Sequence, residues 1–175
     1  MTDQAAVYPQ YTFESVVPHT GTMVLLDQID HWDDEQLQAS VTIRADAPFV
    51  EVQADGAQGM PAWVGIELMA QTIAAYGGCR ARRADQPVKI GFLVGSRRYS
   101  VSQPYFPIGA HLQVNVKEIV SGEQGLSVFE CSLQGRLQGM AEQSAISASA
   151  NITSNTRLRV AKLCCTPGFA ERKWC

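Results

Sequence analysis

The chain has 175 residues, 46% of them hydrophobic and 18% charged, with a net charge of −3. That is enough apolar material for one domain with a full core, and it excludes a disordered or fibrous chain. The charge is uneven: residues 1–155 carry nine Lys/Arg against sixteen Asp/Glu, whereas residues 156–175 carry five against one. One domain over 1–155 and a poorly ordered basic tail over 156–175 are expected. An acidic body with a short solvated basic end argues against a nucleic-acid partner. The N-terminus lacks the basic and apolar stretches of a signal peptide. No apolar run reaches the ~20 residues of a membrane span. A soluble, cytoplasmic protein that does not enter membranes is the expectation. The five cysteines, at 79, 131, 164, 165 and 175, make no CxxC pair and have no His at zinc spacing, so no metal is expected. Cys79 and Cys131 read as small core residues.

Along the chain, residues 23–32 read as a strand and 37–43 as a second, joined by the acidic turn Asp33-Asp34-Glu35. Residues 45–59 carry Pro, Asp and Gly without a period and read as a loop. Residues 60–78 read as a helix, with Pro61 in its first turn and Gly77 and Gly78 at its exit. Residues 77–87 are basic and turn-rich. Four strand-like runs follow, at 88–101, 112–120, 127–138 and 143–153. Strands set apart from a single central helix predict an α+β fold, an antiparallel sheet wrapped around that helix.

The helix holds the chemistry. It is apolar nearly all the way round, which places it in a core. Glu67 is the carboxylate set in it, and burial obliges such a group to find a partner or keep its proton. A carboxylic acid held in that state can serve as a general acid. Gln71 lies one turn on, on the same face, where it could orient Glu67. Trp63, Met69 and Tyr76 could line a tunnel beside the helix, or be plain core. Of the three histidines, His31 and His111 read as exposed.

The element order is that of the hot-dog fold, and Met60-Pro61-Ala62 with Glu67-Leu68-Met69-Ala70-Gln71 is similar to the helix motif of 3-hydroxyacyl-acyl-carrier-protein dehydratases. Val17-Pro18-His19, Leu25-Leu26-Asp27, Gly91-Phe92-Leu93 and Phe106-Pro107-Ile108-Gly109 resemble further segments of that family, so the likeness runs from about Phe13 to Thr153. The stretch Pro18-His19-Thr20-Gly21-Thr22-Met23 looks most like the ApeP-like subgroup of aryl-polyene pathways. The resemblance implies dehydration of a 3-hydroxyacyl thioester to the trans-2-enoyl thioester, with a His as base and Glu67 as acid. It implies substrate contacts at Gln53, Met60, Ala62, Trp63 and Gln71, the Ala62 N–H facing the thioester oxygen, and no cofactor. It also implies an acyl carrier protein as partner, for which Arg97 and Arg98, with Arg80, Arg82 and Arg83, form a basic rim. The family's His position is here Gln53, which cannot act as a base. His19 then becomes the candidate base, with Glu51 and Asp55 behind it. Pairing into a homodimer or a heterodimer, in which a partner supplies the His, is the other resolution. A hot-dog thioesterase and a non-catalytic partner subunit are the alternatives.

Overall fold

The computed structural model describes residues 8–122, 125–137 and 145–155. The expected tail and Cys164, Cys165 and Cys175 lie outside them. A short helix α1 (Phe13–Val16) and a 3-10 turn (Gly21–Met23) lead into the strands β1 (Gln28–Trp32) and β2 (Gln36–Thr42). Two short strands, β3 (Glu51–Val52) and β4 (Gln58–Pro61), precede a 3-10 turn (Ala62–Val64) and the long helix α2 (Gly65–Arg83). Then come β5 (Phe92–Val101), β6 (Tyr105–Pro107), β7 (Ala110–Ser121), β8 (Leu126–Leu137) and β9 (Ile146–Asn155). The main sheet has the order β1-β2-β7-β8-β9-β5, antiparallel at every pairing. A smaller sheet has the order β3-β4-β6.

Alternation does the sorting. Leu112, Val114 and Val116 of β7, Phe129, Cys131 and Leu133 of β8, and Ile146, Ala148, Ala150 and Ile152 of β9 are buried, with polar residues between them. Because a strand's side chains point alternately to its two faces, one face of the sheet is apolar and packs on α2. The helix answers with Leu68, Met69, Thr72, Ile73, Ala75, Tyr76 and Cys79, all buried. Met69 and Tyr76 are therefore core.

Four local readings of the sequence are corrected. The helix begins later than residue 60, because Met60 and Pro61 pair with Phe106 and Tyr105 of β6 as a strand. It also ends later: Gly77 and Gly78 lie inside it, and residues 77–83 are helix, not turn. Gly78 is there because α1 crosses at that point, where a Cβ would collide with the carbonyl of Val16. Tertiary anchors extend the last turn, Arg80 to Glu118 (2.8 Å), Arg82 to the Ser15 carbonyl (3.1 Å) and Arg83 to Asp34. The segment read as loop, 45–59, contains β3 and the start of β4. Finally, β1 starts only at Gln28, since the backbone of Met23 and Leu25 bonds to a helix side chain and not to a neighbouring strand.

The wrapping of α2 is incomplete. β5 lies at one edge of the main sheet and, among the described residues, pairs with β9 alone, with Leu93, Val94 and Val101 exposed. Beside it, Glu67, Ala70 and Ala74 of α2 are half-buried and Gly77 is exposed. The helix is apolar all round in sequence, but one stripe of it is open in this single chain.

Candidate active site

Two features bring His19 to the helix. The residue before a proline is pushed to extended backbone, and Val17, at φ −114° and ψ 151°, turns the chain out of α1 toward His19. Gly21, at φ +59°, then takes the left-handed conformation that opens the 3-10 turn. The loop so formed is stitched to α2 by one side chain. Gln71, fully buried, accepts the Leu25 N–H at its Oε1 (3.0 Å) and donates its amide to the Met23 carbonyl (2.8 Å). The same amide donates to Glu67 Oε1 (2.9 Å), one turn away.

Glu67 and His19 meet as a result. His19 Nε2 lies 3.8 Å from Glu67 Oε1, with side-chain exposures of 29% and 39%. The carboxylate is therefore not sealed from water in the single chain, contrary to the sequence expectation. His19 Nδ1 is buried and has no hydrogen-bond partner among the described residues. The pair stands at the head of a cavity of about 230 Å³ whose walls include Ala70, Ala74, Phe92, Leu93 and Ile152. An imidazole and a carboxyl group thus face the same, mostly apolar space, an arrangement that could serve concerted proton removal and donation.

Other predicted residues fall elsewhere. Gln53 braces its own hairpin, donating to the carbonyls of Glu51 (3.2 Å) and Gly59 (3.0 Å). Asp55 accepts the Ala57 N–H (3.0 Å) and the Tyr105 hydroxyl (2.9 Å), which hold its carboxyl below the usual range and make it a poor base. Met60 is core, opposite Phe106. The Ala62 N–H is spent on the Pro104 carbonyl (2.9 Å), so it does not face a thioester oxygen. Trp63 is half exposed at the helix start, edge-on to Phe49 at 5.7 Å, and Phe49 itself sits at φ 66°. His31 and His111 are exposed, as expected, near Asp33 and Thr42. Arg80, Arg82 and Arg83 serve the helix anchors described above, where Glu118 and Asp34 offset the charge of Arg80 and Arg83. Arg97 and Arg98 have no carboxylate partner among the described residues, and they occupy the irregularity where β5 slips register against β9 between Ser96 and Tyr99.

Sequence reasoning missed Tyr99. Its hydroxyl donates to the Ala62 carbonyl and fills the space that a Cβ on Gly65 would need. Burial pushes its pKa up to about 12, so the phenol stays a donor. Tyr99 therefore fixes β5, with its two arginines, to the start of α2. The one signal for it was an aromatic residue beside Arg97-Arg98, which no periodicity separates from an ordinary strand residue. No group of three or more His, Cys, Asp or Glu side chains among the described residues could hold a metal ion, and no described helix is long and apolar enough to cross a membrane.

Comparison with known proteins agrees with this layout. The most informative solved structure is the dehydratase heterocomplex ApeI:P from Xenorhabdus doucetiae, with 24% identity and a TM-score of 0.70 over 85% of this chain and 92% of that one. The AziG structure from S. sahachiroi is similar at 14% identity and TM-score 0.52, over 75% and 91% of the two chains. An acyl-CoA hydrolase from Agrobacterium tumefaciens is similar at 15% and 0.50, over 73% of this chain and 45% of that one. At such identities these likenesses show the hot-dog fold alone. No curated protein sequence matches the chain. The family model for ApeP dehydratase matches residues 11–161, which include both His19 and Glu67, and this chain belongs to the ApeP-like dehydratase family.

Proposed function

We propose that this chain dehydrates 3-hydroxyacyl thioesters to trans-2-enoyl thioesters, with His19 as the base and Glu67 as the acid. The observation that carries the reading is the 3.8 Å approach of His19 Nε2 to Glu67 Oε1 at the head of an apolar cavity. With its proton on Nδ1, His19 has a free lone pair on Nε2, which takes the proton alpha to the thioester carbonyl. The electron pair left behind becomes the C=C bond as the bond from carbon 3 to oxygen breaks. Glu67, in its acid form, gives its proton to the departing hydroxyl, and water leaves. The imidazolium then faces a carboxylate, and return of one proton from His19 to Glu67 resets the pair. Since the Ala62 amide is occupied, the positive end of the α2 dipole polarises the thioester carbonyl.

Such a pair rests as two neutral groups only where water is excluded, because desolvation disfavours the ion pair. In the single chain the cavity lies open beside the unpaired edge of β5. A second hot-dog subunit, seated on β5 and the open stripe of α2, would close it. That the similar structure from Xenorhabdus doucetiae is a heterocomplex supports a partner of different sequence. The substrate is carried by an acyl carrier protein, whose acidic surface suits Arg97 and Arg98, which have no carboxylate partner among the described residues.

The test is a mass-spectrometric assay on 3-hydroxyacyl carrier protein, with the chain alone and with a hot-dog partner from the same source. His19→Ala and Glu67→Gln should each lower enoyl formation by about 100-fold or more, while Gln53→Ala leaves it unchanged. An undiminished rate in His19→Ala would assign the base to the partner. Free acid in place of enoyl product would make the chain a thioesterase.

A further inference from the structure

We infer that the chain carries a second ligand site, apart from His19 and Glu67, which takes a small carboxylate with an apolar body, whatever reaction the first site performs. The site is a cavity of about 600 Å³ between the last turns of α2 and the far ends of β7, β8 and β9. The inner face of the main sheet is apolar as far as Phe129 and Ile152, and then the pattern breaks. Two residues on from that pair the cavity is walled by Ser127 and Ser154, with Ser121 of β7 alongside. The register sets the three in one row, Ser121 opposite Ser127 and Ser127 opposite Ser154. None of the three hydroxyls has a hydrogen-bond partner among the described residues, and Ser154 is only 9% exposed. Buried hydroxyls are normally paired, because leaving one unpaired costs free energy. A row of them facing a cavity calls for an occupant that accepts hydrogen bonds.

Charge decides which acceptor it is. Arg80 is held by Glu118 (2.8 Å) and Arg83 by Asp34. Lys89, exposed at the rim, lines the cavity without a carboxylate partner among the described residues. One unpaired cation matches a monoanion, whereas a phosphate dianion would be left half compensated. The negative end of the α2 dipole does not oppose this, because the Ala84 N–H caps the carbonyls of Arg80 and Ala81 (both 3.1 Å) and the Gln86 N–H returns to Ala81 (2.8 Å). Neighbouring strands lie about 4.8 Å apart, so a carboxylate lying between Ser127 and Ser154 accepts from both hydroxyls at about 2.7 Å. Lys89 stands on the Ser154 side, since Leu93, shortly after it, is the β5 partner of Ser154. The floor is apolar, Ile73 with Tyr76 and Phe129, whose rings meet edge-on at 5.8 Å. That pair suits an aromatic or short aliphatic body.

The experiment is isothermal titration calorimetry of the full chain, with its partner subunit where it has one, at neutral pH. The probes are 3-phenylpropionate, its neutral amide 3-phenylpropanamide, and inorganic phosphate. The carboxylate should bind, and the amide and phosphate should each bind at least about tenfold more weakly; this comparison needs no variant. Ser127→Ala and Lys89→Gln should each weaken the carboxylate by about tenfold. Lys89 and Ser154 also line the cavity at His19 and Glu67, but Ser127 lines only this one, so it tells the two apart. An unchanged affinity in Ser127→Ala would place the probe in the catalytic cavity, and an unchanged affinity in Lys89→Gln would remove the cation; either overturns the site. So would an amide or a phosphate that binds as well as the carboxylate, or a carboxylate that gives no heat of binding at millimolar concentration.

Discussion

Gln71 is the side chain whose loss should be felt at two levels. Gln71→Leu keeps the volume but strands the Leu25 N–H, a donor on a residue only 5% exposed. An unsatisfied buried donor costs about 1–3 kcal/mol. The Met23 carbonyl adds little, because Met23 is 45% exposed and water can replace the amide. A total of about 1–3 kcal/mol follows, which in a domain of this size lowers Tm by about 2–12 °C. The second level is kinetic. Glu67 loses the donor that orients its Oε1, and a small misplacement of a catalytic group costs up to about 100-fold. Gln71→Glu separates the two levels. It retains an acceptor for Leu25 but replaces the amide that donates to Glu67 by a carboxylate that repels it, so its stability should fall less than that of Gln71→Leu while kcat falls at least as much. Thermal unfolding followed by circular dichroism, and kcat of both variants, test the two levels. A Tm within about 2 °C of the parent in Gln71→Leu, together with an undiminished kcat in Gln71→Glu, would refute the assignment of Gln71 as the positioning residue.

Three further outcomes are expected. Gly78→Ala should destabilise by about 1–3 kcal/mol through overpacking against Val16, whereas Gly77→Ala should be neutral or stabilising by up to about 1 kcal/mol; denaturant titration of the two variants checks the contrast. Arg97→Glu with Arg98→Glu should raise KM for a carrier-bound substrate and leave KM for its pantetheine analogue alone, and equal changes in both would remove the arginines from carrier docking. Burial raises Cys79 and Cys131 to about 12. With the thiol retained below that value, only about one molecule in ten thousand is thiolate at pH 8. Maleimide should therefore leave both peptides unmodified in the native protein and label them after denaturation, as read by peptide mass mapping.

The periodicities were enough for the architecture. Period-two alternation in β7, β8 and β9 and the long apolar run of α2 are properties of local sequence, and they led to an antiparallel sheet around one helix. The Glu67–Gln71 pair was legible for the same reason, because a spacing of four is a contact in any helix. The limits of α2 were not, since they depend on partners far along the chain: β6 claims Met60 and Pro61 as strand, while Glu118 and Asp34 hold the helix past Gly78. The same is true of Ala62, whose amide looks available in sequence until Pro104 is seen to take it.

The sequence by itself determined the fold and the family likeness, and it put Glu67 forward as the candidate acid, because each rests on residues close together in the chain. It also showed that position 53 holds no base. Tertiary structure decided what stands beside Glu67. His19 reaches it only because α1 packs on Gly78 and Gln71 ties the following loop to α2 across more than forty residues. Proximity between distant segments is produced by packing, and packing leaves no period in the sequence to be read.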